Sequence, residues 1–150
     1  LHHSRTSLYR LAFSITRNSS DAQEAVAEAV CRAYERYPQL REKEKLPRWL
    51  LKITANEARR LCQRRGRTVS LDDLPTEPAI PGRETGDDTL WQAVQTLPRD
   101  QREAVVLFYY EDLPTEEIAR IVGTSPGAVR VRLSRAREKL RSILKEGDYG

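Results

Sequence analysis

Thr124-Ser125-Pro126-Gly127-Ala128-Val129-Arg130-Val131-Arg132-Leu133-Ser134-Arg135-Ala136-Arg137 is the stretch whose reading decides the fold. Val129, Leu133, Ala136 and Leu140 recur at helical spacing and predict a buried stripe, so Arg130, Arg132, Arg135 and Arg137 point largely outward. Ser125 suits an N-cap, Pro126 the first helical position, and Gly127 leaves bare backbone in the first turn. Unpaired N–H groups and the positive end of the helix dipole therefore converge where a phosphate could dock. Upstream, Thr115-Glu116-Glu117-Ile118-Ala119-Arg120-Ile121-Val122-Gly123 predicts a short helix that the glycine ends in a left-handed turn. Small Ala119 permits a close crossing, and Val129 fills the angle between the two helices. This is the pattern of a helix-turn-helix with Pro126 to Arg137 as recognition helix. The alternative is an αα-hairpin with a solvated basic face; the agreement of cap, glycine and arginine row favours the DNA-reading motif.

A chain of 150 residues with abundant charge and only 7 glycines makes one ordinary domain or two small ones, built from helix formers. The net charge of +4 hides segregation, with arginines crowded over 59–67 and 130–141 and acids over 72–88. Local basic patches on a modest total point to a nucleic-acid partner more than a membrane. No apolar run is long enough to span a bilayer and no signal-peptide pattern is visible, so no membrane insertion is expected and the compartment is expected to be cytoplasmic. Cys31 and Cys62 are the only cysteines and form no C-x-x-C pair, which favours buried, reduced thiols over a disulfide or zinc site. His2 and His3 lack a third ligand, so neither metal nor other cofactor is expected. The chain starts at Leu1 and contains no methionine, which points to a natural start further upstream.

Taken in order, Leu8, Leu11, Ala12 and Ile15 mark a first helix closing near Asn18, and Ser20-Asp21-Ala22-Gln23 reads as a capping box opening a second. The buried stripe of that second helix is Ala22, Ala25, Val26, Ala29, Val30 and Ala33, with Asp21, Glu24, Glu28 and Arg32 on another side. By pattern alone these charges read as a solvated face sooner than a docking surface. Tyr37-Pro38 stops the helix, a charged loop runs from Gln39 to Leu46, and Pro47 restarts a helix. There Leu50, Ile53, Thr54, Ala58 and Leu61 face inward, while Trp49, Lys52, Asn56, Arg60 and Gln63 share another face. An indole to stack, an amide for a base edge and cations for phosphates suit unstacked bases. Trp49 in the core, with cations merely favouring the helix C-terminus, fits the same pattern equally well.

From Arg65 to Asp88 the composition shifts to Gly66, Pro75, Pro78, Pro81, Gly82 and Gly86 among six acids, and no helical or strand period survives. The stretch reads as a linker and its acids as a solvated spacer. Leu90, Ala93, Val94 and Leu97 open the second domain; Leu97-Pro98 then turns into a helix carrying Ala104, Val105, Phe108 and Tyr109, whose aromatics are expected in the core. The fold class expected is all-α, with two small helical domains, 1–65 and 89–150, joined by a flexible acidic linker over 66–88.

Laid out in this way, the chain resembles the extracytoplasmic-function sigma factors, the small bacterial RNA polymerase sigma factors having only the second and fourth sigma domains. The resemblance rests on Leu8-Tyr9-Arg10-Leu11-Ala12, on Asp21-Ala22 through Arg32-Ala33-Tyr34, and on Trp49-Leu50 with Ile53-Thr54-Ala55-Asn56. It continues through Leu97-Pro98 with Gln101-Arg102-Glu103, and Glu116-Glu117-Ile118-Ala119 through Arg135-Ala136-Arg137. It implies that Asp21, Glu24, Glu28 and Arg32 face the clamp of core RNA polymerase, and that Trp49, Lys52, Asn56, Arg59 and Arg60 meet the opened minus-ten element of promoter DNA. The loop from Gln39 to Lys45 would hold a flipped base, and Ser125, Gly127, Arg130, Arg132 and Arg135 would hold the minus-thirty-five element as duplex. An anti-sigma factor masking these surfaces is implied as a further partner.

Gln23, Ala27 and Val30 depart from the family's usual acid, glutamine and aromatic, and Ala128 and Val131 stand where hydroxyl residues are frequent, which changes the expected base preference. Two elements about 17 base pairs apart are separated by roughly 58 Å. A relaxed coil of about 22 residues averages roughly 26 Å, against an extended limit of about 73–79 Å. The linker therefore spans the two elements only when stretched, and its acids are expected on the path of nascent RNA. No paired catalytic carboxylates, phosphate-binding glycine loop or nucleophile elbow points to an enzyme. The rival readings are a stand-alone helix-turn-helix regulator acting as a dimer on palindromic duplex, and an all-helical adaptor with no nucleic-acid role.

Overall fold

A computed structural model describes residues 4–66 and 88–148. The chain divides into two compact units, Leu1–Ile80 and Pro81–Gly150. The expected linker lies outside the described residues from 67 to 87, and its two ends are helical: Gly66 closes one helix and Asp88 opens the next.

The first unit packs α1 (Ser4–Thr16), α2 (Ser19–Arg36) and α3 (Leu46–Gly66) so that each touches the other two. Leu8, Leu11, Ala12 and Ile15 of α1 are buried as their spacing predicts, and Phe13 joins them, stacked 6.1 Å from Tyr9. The break between α1 and α2 is tight. Arg17 takes left-handed backbone and its N–H bonds the Phe13 carbonyl at 2.7 Å, closing α1 as a glycine usually would. Asn18 then caps α2, its Oδ1 accepting the Asp21 N–H at 2.9 Å. The helix thus opens ahead of the expected Ser20 capping box, because the amide side chain at Asn18 already satisfies the first-turn donor.

Small residues on α2, namely Ala22, Ala25, Ala29 and Ala33, are all buried and bring α3 close. Val30 is exposed rather than part of that stripe, and Cys31 beside it is exposed too, so the reading of both cysteines as buried holds for neither: Cys62 is half-buried, its thiol on the Ile15 carbonyl at 3.4 Å. On α3 the buried set is wider than one stripe. Leu51, Ala55 and Glu57 are buried beside Ile53, Thr54, Ala58 and Leu61, because a helix wedged between two others loses solvent on two sides.

The second unit holds α4 (Asp88–Gln95), α5 (Arg99–Val105), α6 (Thr115–Val122) and α7 (Pro126–Asp148). Trp91, 1% exposed, is its largest buried side chain, while Leu90 points outward. A π-helical turn, Val106–Tyr110, follows α5 directly and shifts the register by one residue. Tyr110 consequently meets Trp91 edge-on at 5.5 Å, whereas Tyr109, expected in the core, is exposed and Phe108 half-buried. Arg102 of α5 is buried and donates to the Leu97 carbonyl at 2.8 Å.

Candidate nucleic-acid interface

The helix-turn-helix forms where its sequence places it. Gly123 ends α6 with φ 79°, and the N–H groups of Gly123 and Thr124 both bond the Ala119 carbonyl, at 2.8 and 3.0 Å. Ser125 caps α7, its Oγ accepting the Ala128 N–H at 3.1 Å. Val129, Leu133, Ala136 and Leu140 are buried against the preceding helices, and Ile118 and Ile121 of α6 complete the seam. Arg130 and Arg135 are exposed on the other side. Arg132 lies on a flank instead, half-buried with its Nε 3.7 Å from Asp100 of α5. Arg137 lies on the opposite flank, donating to the Tyr109 hydroxyl at 2.7 Å with its guanidinium 5.9 Å from the Phe108 and Tyr109 rings.

In the first unit, Lys52, Asn56 and Arg60 are exposed along α3, and Arg59 donates to the Asn56 side-chain oxygen at 3.3 Å. Trp49 combines both readings open to it: half-buried, it leans with Leu50 on Ala29, Ala33 and Ile53 and keeps part of the indole in solvent. The preceding loop is built around Lys43, whose ammonium donates to the Tyr37 and Leu40 carbonyls at 2.8 Å each and lies 4.1 Å from the Tyr37 ring centroid. Two short 3-10 turns, Tyr37–Gln39 and Lys43–Lys45, give this loop a defined shape.

On α2, Glu24 and Glu28 are exposed as expected, but Asp21 is 7% exposed and its Oδ2 lies 2.6 Å from Arg65 Nε. The pair ties the start of α2 to the end of α3, so Asp21 is not part of an open acidic face. Arg32 reaches across to Glu57 at 2.7 Å and stands 3.6 Å from Glu28. Arg60 bonds the same Glu57 carboxylate, and that hydrogen bond raises its pKa above the ordinary guanidinium value. Glu57 thus joins one residue expected at polymerase to one expected at DNA, and Glu24, Glu28, Arg32, Glu57, Arg60 and Arg64 line one groove. Its position was available in the sequence, since Glu57 follows Leu50 and Ile53 at helical spacing on the inward face of α3.

A capped recognition helix on one unit and a cation-bearing helix with a half-buried indole on the other define a helical DNA-binding protein with two separate modules. Residues 1–68 match sigma-70 region 2 and residues 87–140 match sigma-70 region 4. The RNA polymerase sigma factor SigV of Bacillus subtilis is 32% identical over 142 residues, covering 93% of this chain and 86% of that protein. The ECF RNA polymerase sigma factor EcfG of Rhodopseudomonas palustris is 32% identical over 143 residues, with 92% and 79% covered. Among solved structures, the sigma factor RpoE in complex with the anti-sigma factor NepR from Bartonella quintana aligns with a TM-score of 0.76 at 28% identity, covering 92% of this chain and 89% of that one.

The chain belongs to the extracytoplasmic-function class of RNA polymerase sigma factors. Its function is promoter-specific initiation of transcription, and core RNA polymerase and promoter DNA are its partners. A match to both regions in their order favours this over a stand-alone dimeric regulator, which leaves the first unit unexplained.

Proposed function

We propose that the two units divide promoter recognition, with Trp49, Lys52, Asn56, Arg59 and Arg60 on the opened minus-ten strand and Ser125, Gly127, Arg130, Arg132 and Arg135 on the minus-thirty-five duplex. The observation that carries this reading is the outer face of α7. Its first acid is Glu138, and a serine cap leads into exposed Arg130 and Arg135. Such a face meets phosphates by charge and base edges by guanidinium forks. At the minus-ten strand the exposed part of Trp49 stacks on a base and Asn56 bonds a base edge, while the loop closed by Lys43 receives an extruded base. Extrusion costs a few kcal/mol, which stacking and edge hydrogen bonds offset.

Glu24 and Glu28, with Arg32 beside them, form the polymerase contact. The protein performs no covalent chemistry; it positions DNA for the catalytic core. It works in the cytoplasm, where an anti-sigma factor holds it inactive by covering these surfaces, as the bound state of the RpoE relative supports.

Reconstituted transcription with core polymerase and a promoter library tests the proposal. Defined start sites that depend on this chain are expected, and they disappear with Arg130→Ala plus Arg135→Ala for promoters relying on the upstream element. Start sites unchanged by those substitutions would remove α7 from promoter recognition. An anti-sigma partner blocks the product when added before core polymerase and much less when added after it.

A further inference from the structure

The outer face of α7 carries one large apolar side chain where a DNA-binding helix would be expected to be polar. Val131 is 47% exposed, at the middle of the outward face of the first turns. Gly127 lies four residues before it, half-buried Ala128 three before, and Ser134 and Arg135 three and four after. Helical spacing makes these its neighbours on one surface. The result is a small apolar strip, Gly127, Ala128 and Val131, bordered by the exposed cations Arg130 and Arg135, with no acid on the helix before Glu138.

Among the described residues of the second unit, none closes over Gly127 and Val131, which stay exposed, and the cationic border of the strip selects a polyanion as the occupant. In the major groove of duplex DNA the one apolar group on any base edge is the C5-methyl of thymine. A branched side chain with two methyls and no hydrogen-bonding atom cannot read an amino or carbonyl group, so it discriminates only by apolar contact and by leaving a polar edge unpaired.

We propose that Val131 is a specificity-determining residue that contacts a thymine methyl in the upstream duplex element, with the arginines beside it holding the helix in register. The inference rests on the assignment of α7 to the upstream duplex. Loss of one methyl contact at about 0.8 kcal/mol corresponds to about fourfold in affinity.

The test uses full-length protein in holoenzyme with core polymerase. A randomised duplex library is selected for binding, and the recovered upstream element is then synthesised with each thymine replaced singly by deoxyuridine, which removes the methyl and keeps every hydrogen-bonding atom. The expected result is one position at which the replacement weakens binding about fourfold, and a Val131→Ser holoenzyme that binds the thymine and uracil duplexes alike. Val131→Thr, which keeps the branched shape and one methyl, retains part of the discrimination. An element recovered by selection but insensitive to uracil at every position would overturn the inference while leaving the assignment of α7 intact, as would discrimination undiminished in Val131→Ser. A holoenzyme that selects no upstream element would overturn both.

Discussion

Gly123 sits at φ 79° with open space where a Cβ would stand, so backbone torsion, not packing, excludes a side chain there. Gly123→Ala is expected to cost the second unit about 1–2 kcal/mol, seen as a lower Tm with an unchanged helical spectrum in the cold. Gly127 is the reverse case. It is helical, and a Cβ there would meet only Ser125 Oγ at 4.0 Å, an ordinary contact. Gly127→Ala should therefore stabilise the unit by up to about 1 kcal/mol, yet weaken binding to the upstream duplex because the methyl stands where DNA backbone would approach. A filter-binding comparison of the two proteins decides it: equal affinity would exclude Gly127 from the interface.

At the scale of elements, α2 and α3 are tied at two points, by Asp21 with Arg65 near one end and by Arg32 on Glu57 further along, where Arg60 of α3 shares the same carboxylate. Buried carboxylates with partly exposed arginine partners lie between exposed and fully buried ion pairs in worth. Asp21→Ala is expected to lower the stability of the first unit by about 1–3 kcal/mol, measured by urea denaturation. Glu24→Lys together with Glu28→Ala, both at exposed sites, should shift stability by less than about 0.5 kcal/mol while weakening capture by core polymerase on the order of tenfold. If all three acids behaved alike in both measurements, the separation of a structural Asp21 from a docking Glu24 and Glu28 would fail. The π-helical turn after α5 is structural in the same sense: within it Tyr110 meets Trp91, while the exposed Tyr109 accepts a hydrogen bond from Arg137.

For the whole molecule, two modules on one promoter make affinity depend on both charge and reach. If the second unit neutralises about five phosphates, log affinity for duplex should fall with log salt at a slope of roughly −4.5. Replacing Arg135 by alanine should reduce that slope by about one, and an unchanged slope would show that this guanidinium meets no phosphate. The acids of the segment between the modules, Asp72, Asp73, Glu77 and Glu84 among them, are expected to lie on the path of nascent RNA in the assembled polymerase. Exchanging them for serine should alter the ratio of abortive to full-length transcripts; a constant ratio would reduce them to a solvated spacer.

Most of the α-helices, the helix-turn-helix and the family are legible in the sequence, whereas the π-helical turn after α5 and the 3-10 turns before α3 are not. Apolar spacing, glycine torsion and capping are local properties, legible without knowing what packs against them, and Ser125, Gly123 and Val129 behave as their pattern dictates. What tertiary structure decided is which polar residue is spoken for. Asp21 and Glu24 look alike in sequence, and only the arrival of Arg65 from the far end of α3 separates a buried tie from an exposed acid. Likewise Trp49 is divided between core and solvent by the alanines of α2, and Arg132 is turned to a flank by Asp100. Ion pairs and partial burial depend on distances between segments remote in the chain, and a periodic pattern along one helix carries no information about its neighbour.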